Sequence, residues 1–218
     1  MNKKILVSVE PNLEFLVQFT DKYILTKKLC LSVPRGYVAI VYIDGRAMYK
    51  SENCVNDVVF KKCGKEFLNK EVQFAFYPKE AHPDICFGFG SINVNNERLK
   101  EAYRVGVNGQ MTLSIVDYVQ LIKSFSFTNN ITVESVRELI LPTISSVGRT
   151  IVGECFRDST VSIFEIDSMI GEIRKKMVDE LVTEKLLSNI GIEIDSVAIN
   201  EVFVNEEDLE MIRNRING

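Results

Sequence analysis

The chain has 218 residues, 46% of them hydrophobic and 26% charged, with a formal net charge of −4. That length gives one or two domains with enough chain to bury a real core, and the composition is ordinary for a globular protein. A negative balance without a basic stripe argues against nucleic acid as a main partner, and no apolar run approaches the ~20 residues of a membrane-spanning helix.

Met1-Asn2-Lys3-Lys4 soon gives way to Glu10-Pro11, so no signal-peptide core is expected. Residues 1–30 are read as an N-terminal β segment. Pro34-Arg35-Gly36 makes a turn, Tyr37 to Ile43 a strand, and Asp44-Gly45 a tight hairpin turn. Asp-Gly suits that place because both central residues of a type I′ turn need positive φ. Next comes a basic cluster, Lys61, Lys62, Lys65 and Lys70, with Phe60 and Phe67 beside it. A solvated loop would explain it. As a contact for anionic lipid, each lysine near the surface would contribute up to about 1 kcal/mol.

Glu71 to Tyr77 alternates as a strand ended by Pro78. From Asp84 to Gly90, Ile85, Phe87 and Phe89 share one face. The pair Gly88 and Gly90 is read as a bend between strands, since no third glycine or helix start follows to make a phosphate cradle. Arg104 to Ile115 carries the clearest period-two signal. Val105, Val107, Met111, Leu113 and Ile115 fall on one face; Arg104, Asn108, Gln110, Thr112 and Ser114 face the other way. That describes a half-buried antiparallel strand, and Gly109 within the row suggests a bulge.

Helical spacing begins after Ile115. Asp117 can cap a short helix carrying Tyr118, Leu121, Ile122 and Phe125. Thr132 can cap a segment with Val133, Val136, Leu139 and Ile140 on one face, which Pro142 is expected to kink or break. A third helix is expected from Asp167-Ser168, with Ile170, Ile173, Met177 and Leu181 packed on the sheet. Leu186 and Leu187 extend that stripe and Gly191 stops it. Gly191 to Val204 is a long alternating strand. Glu206-Glu207-Asp208 then opens a final helix, where unpaired backbone N–H groups favour negative charge. The fold class is α+β: antiparallel-rich sheet in the N-terminal half, helices packed on one side, and a C-terminal strand followed by a helix. No linker-like stretch interrupts this continuous unit.

Catalytic chemistry is not legible in the chain. With one histidine, His82, a Ser-His-Asp or Cys-His site would rest on that residue alone. The five cysteines, Cys30, Cys54, Cys63, Cys86 and Cys155, show no metal-ligand spacing and read as free thiols of a reducing cytoplasm. No catalytic, cofactor-binding or metal-ligating residue is assigned, and no enzyme activity is expected. Charge is uneven, however. Residues 1–164 hold 20 Lys+Arg against 17 Asp+Glu, and residues 165–218 hold 6 against 13. The basic cluster and the acidic head Glu206, Glu207 and Asp208 are therefore candidate interaction sites.

Three segments together suggest a family. Val33-Pro-Arg-Gly-Tyr-Val-Ala-Ile-Val-Tyr-Ile-Asp-Gly-Arg46, Tyr103 to Asp117, and Leu186 to Glu207 occur in an order that resembles the SPFH or band-7 domain of stomatins, prohibitins and flotillins. Within that family the chain resembles the soluble bacterial, virion-core-like members. The resemblance implies an SPFH-like domain over residues 31–205 and the start of a C-terminal helix over 206–218. It also implies a non-enzymatic scaffold that forms homo-oligomers or binds a protein partner. The implied place is the cytoplasm, peripheral at the inner face of the cell membrane, with a role in envelope stress. Two other readings stay open: an enzyme of unrecognised type, which needs a deep polar pocket, and a structural module of a larger particle.

Overall fold

The computed structural model describes residues 4–52, 57–98, 100–125, 130–157, 159–183, 185 and 187–217. Cys54 and Leu186 lie outside the described residues. The first strands are β1 (Ile5–Val7), β2 (Phe15–Phe19), β3 (Tyr23–Ile24), β4 (Leu29–Leu31), β5 (Tyr37–Ile43), β6 (Arg46–Ser51) and β7 (Asp57–Val58). Helix α1 (Val59–Cys63) and a 3-10 turn (Lys65–Phe67) precede β8 (Glu71–Pro78), β9 (Asp84–Asn96) and β10 (Glu101–Ile115). Then come α2 (Tyr118–Ser124), β11 (Ile131–Thr132), α3 (Val133–Arg157) and α4 (Ile170–Val178), the last preceded by a 3-10 segment. β12 (Ile192–Val204) and α5 (Glu206–Asn217) complete the order. The protein is thus a mixed α+β structure with largely antiparallel sheets. It divides into two units, Met1–Ala81 with Asp117–Val136, and His82–Val116 with Arg137–Gly218. Asp117–Val136 returns to add β11 and α2 to the first unit.

In the first unit, a sheet of order β11-β2-β8-β5-β6, with β3 also paired to β8, is built around β5. Every residue of β5 is buried, which accounts for its unbroken apolar sequence. Tyr37, Ala39, Val41 and Ile43 face a core completed by Val72, Phe74 and Phe76 of β8 and by Leu29, Leu31 and Val59. The opposite side of β5 and β8 is also buried, and α2 belongs to that side: the Tyr118 ring stacks on Tyr77 with centroids 3.7 Å apart. The hairpin turn forms as expected, with φ of 48° at Asp44 and 76° at Gly45. On edge strand β6, Met48 is the extra residue of a bulge and Arg46 and Lys50 bring charge, devices that discourage pairing with another strand.

The expected caps are present. Asp117 accepts backbone N–H bonds from Val119 (2.8 Å) and Gln120 (3.2 Å). Thr132 Oγ1 accepts from the Ser135 N–H at 3.0 Å, while Ser135 Oγ accepts from the Thr132 N–H at 2.9 Å. Residues 59–67 differ from the expectation of a loop: they form α1 and the 3-10 turn, because Phe60 and Phe67 pack on the core rather than pointing to solvent.

The second unit has a sheet of order β12-β10-β9, antiparallel throughout. Three bulges set its burial pattern. On β9 the buried residues run Ile85, Phe87, Phe89 and then Ile92, Val94, Asn96. The switch from odd to even falls at the extra residue near Gly90 and Ser91, where Ser91 has φ 56°. Gly88 and Gly90 therefore lie inside a strand and not at a bend between strands. Gly109 does sit at a bulge, but the extra residue is Asn200 on its partner β12. A second extra residue on β12 is Asp195. Because side chains alternate, each inserted residue flips the faces that follow, so Ile194, Val197, Ile199 and Val202 all stay buried.

Two helical expectations are narrowed. Of the kink or break expected at Pro142, the break does not occur: α3 runs from Val133 to Arg157 with Pro142 inside. Pro142 is on the exposed side, where the Glu138 carbonyl it leaves unbonded can meet water, while buried Val136, Ile140, Ile144, Ile151, Val152, Cys155 and Phe156 hold the helix in place. Leu139, expected on that stripe, is exposed. The third helix is shorter than its apolar spacing suggests. Helix α4 ends at Val178, a wider turn covers Asp179–Thr183, and Gly191 (φ 78°) ends only the 3-10 turn Ser188–Ile190. The core role of the stripe holds: Ile173, Met177 and Leu181 are buried and α4 packs on β12.

Candidate functional site

The charged groups singled out in the sequence separate into bound and unbound ones. Lys62 Nζ lies 2.5 Å from Asp57 and 5.3 Å from the centroid of the Tyr49 ring. Lys70 pairs with Asp44 at 3.3 Å. Lys61 and Lys65 are exposed, and among the described residues neither has an ion pair. With Phe60 and Phe67 turned to the core, this cluster offers charge but no free aromatic wedge.

The acidic head of α5 is likewise divided. Asn205 is the capping side chain, its Oδ1 accepting from the Glu207 N–H at 3.1 Å. Asp208 does not face a partner: it is 5% exposed and its Oδ2 accepts from the backbone N–H (2.7 Å) and Nε (3.0 Å) of Arg104. Arg104 Nη2 also donates to Asp208 Oδ1, Asn205 Oδ1 and Glu207 Oε2 at 2.9–3.0 Å. These bonds to the Arg104 guanidinium hold the Asp208 carboxyl below its ordinary value, because they stabilise the carboxylate. Glu206 and Glu210 remain exposed.

A third group was not legible in the sequence. His82 Nδ1 lies 3.2 Å from Asp195 Oδ2 and 3.0 Å from Ser114 Oγ, and the Ser114 hydroxyl donates to the same Asp195 oxygen at 2.6 Å. Period-two spacing puts Ser114 on the polar face of β10, but only the bulge brings Asp195 to it. The residue types are those of a hydrolytic triad; the geometry is not. A triad needs the imidazole between serine and carboxylate, one ring nitrogen to each. Here serine and carboxylate share Nδ1, and the serine proton is given to the carboxylate. The imidazole and carboxylate are also open to solvent, at 59% and 40% exposed. Alongside, Thr112 donates to Asp84 at 2.7 Å and Asn108 to Glu201 at 2.8 Å. These bonds tie neighbouring strands across a polar sheet face.

Surface depressions add little chemistry. One of 290 Å³ is lined by Asn93, Asn95, Tyr103, Arg104 and Asp208, and one of 410 Å³ by Ile43, Asp44, Arg46, Met48 and Phe67. Burial pushes the Cys63 thiol up to about 11 and also raises Cys155, so these thiols stay protonated at neutral pH. Cys86 is exposed, and Cys30 is buried. Among the described residues, no group of three or more His, Cys, Asp or Glu side chains is placed to hold a metal ion, and no helix is long and apolar enough to cross a membrane. In comparisons with known proteins, the chain matches no family model and no curated protein sequence.

Proposed function

We propose that this chain is a non-enzymatic assembly domain of the SPFH type, which self-associates at the inner face of a cell membrane. The observation that carries the reading is the division among its charged side chains. Lys62, Lys70, Glu207 and Asp208 are held within their own units. Lys61 and Lys65 in the first unit, and Glu206 and Glu210 in the second, are exposed and have no ion pair among the described residues. Copies that meet head to tail bring the basic residues of one against the acidic helix of the next, a heterologous contact that propagates into a ring or filament. Exposed pairs contribute only about 0.2–1 kcal/mol each, so assembly depends on concentration and weakens with salt.

Size-exclusion chromatography with light scattering, at two protein concentrations and two salt levels, tests the reading. Oligomers that grow with concentration and loosen with salt are expected. A monomer in every condition overturns it.

A further inference from the structure

Among the described residues the most exposed large hydrophobic side chain is Leu13, at 94%; the next, Met211, is at 57%. Leu13 stands on an ordered turn. Asn12 Oδ1 accepts from the Glu14 N–H at 2.9 Å, and the Asn12 carbonyl accepts from the Phe15 N–H at 3.2 Å. Glu10 and Glu14 flank the leucine, both exposed, and neither has an ion pair among the described residues. The same unit carries a hollow of matching character. The 410 Å³ depression at the tip of the β5–β6 hairpin has Ile43, Met48 and Phe67 as its apolar lining. Of the two charged residues that line it, Asp44 is bound by Lys70 at 3.3 Å. The other, Arg46, is exposed and has no ion pair among the described residues. Glu66, next to Phe67, turns its carboxylate back over Gly64.

We infer that the Leu13 turn of one copy seats in the Ile43–Met48–Phe67 hollow of a second copy, with its flanking carboxylates against Arg46. The knob cannot fill the hollow of its own chain. Strands β2 and β5 run the same way, each antiparallel to β8, so the turn before β2 and the hairpin after β5 stand at opposite ends of one sheet. The seven residues of β5 alone span roughly 20 Å, and β6 lies three places from β2 in strand order. A knob and hollow so placed make a heterologous contact that repeats from copy to copy. Charge complementarity selects the occupant: Arg46 favours a knob between carboxylates over Ile5 and Leu6, which follow Lys4. Because the turn is already ordered, little freedom is lost on seating it. The inference rests on the self-association proposed above and adds a second contact to it. One leucine is too small a contact to hold two copies alone, so it acts between copies that the charged contact has brought together.

The test has two parts, both on the full chain. Sedimentation velocity over a concentration series compares wild type with Leu13→Ala, Met211→Ala, Arg46→Glu, and Arg46→Glu combined with Glu14→Arg. Self-association is expected to weaken about tenfold or more in Leu13→Ala, to weaken in Arg46→Glu, and to recover when Glu14→Arg is added. All the altered side chains are exposed, and thermal melts check that each form is folded. In the second part, copies carrying Leu13→Cys are mixed with copies carrying Met48→Cys or Ile5→Cys, all in a Cys54→Ser/Cys86→Ser background, under mild oxidation. Mass spectrometry should find the mixed disulfide with position 48 and little with position 5. Leu13→Ala that associates as wild type does, weakening by Met211→Ala alone, or equal capture of positions 5 and 48 overturns this inference and leaves the charged contact standing. Wild type that stays monomeric throughout overturns the inference and the assembly reading together.

Discussion

The ring of Phe87 on β9 covers Gly109, its register partner on β10. A β-carbon at Gly109 would stand 2.5 Å from Phe87 Cζ and would overlap the carbonyl oxygen of Ala198 on β12. The absence of a side chain here lets three strands meet around a buried aromatic ring. Gly109→Ala is therefore expected to cost about 1–3 kcal/mol by overpacking. Gly153, inside α3, has no atom within 4 Å of the corresponding position, so Gly153→Ala should stabilise by up to about 1 kcal/mol through helix propensity. Urea unfolding of the two variants should move the midpoint in opposite directions.

The Arg104 bonds to Asp208 give α5 a pH dependence. The carboxyl is held below its ordinary value in the folded chain. Its contribution is thus complete above the unfolded carboxylate value of about 4 and is lost as pH falls through the lower, folded value. Asp208→Asn should destabilise the protein at pH 7, and the difference from wild type should shrink as the pH is lowered below 4. Urea midpoints across that range check the sign, and hydrogen exchange should report faster opening in α5.

Thiol reactivity should follow burial. In a Cys54→Ser background, a disulfide reagent at neutral pH should modify Cys86 quickly, while buried Cys30, Cys63 and Cys155 wait for unfolding. Burial, which pushes Cys63 up to about 11, makes it doubly slow: covered and protonated. Mass spectrometry of the labelled peptides would show the order.

The His82, Ser114 and Asp195 group should behave as surface bonding and not as a nucleophilic centre. A fluorophosphonate probe should leave Ser114 unmodified, and Ser114→Ala or His82→Ala should change stability by less than about 1 kcal/mol, as exposed polar pairs do. Labelling of Ser114 would contradict the geometry argued above.

The hairpin at Asp44-Gly45, the helix caps at Asp117 and Thr132, and the buried face of β10 were legible because each is written in local residue types and spacing. The bulges were harder. On β9 and β12 the apolar residues change parity partway along the strand, at Ser91, Asp195 and Asn200. A period-two reading ends the first of these strands at the change, at Gly90, and carries Gly191 to Val204 through without marking where its faces switch. Pro142 misled for a related reason: its local penalty is real, but the buried residues on either side of it in α3 outweigh it. The Arg104–Asp208 contact and the meeting of His82 with Asp195 join residues more than a hundred positions apart. No local pattern encodes them.

Charge reversal tests assembly most directly. Lys61→Glu/Lys65→Glu and Glu206→Lys/Glu210→Lys each place like charges on both sides of the proposed head-to-tail contact. Sedimentation velocity should show each variant alone as a monomer, and an equimolar mixture of the two as oligomers in which the variants alternate, since every acidic face then meets a basic one. Unchanged oligomers in both single variants, or two monomers that ignore each other on mixing, would contradict assembly through these faces.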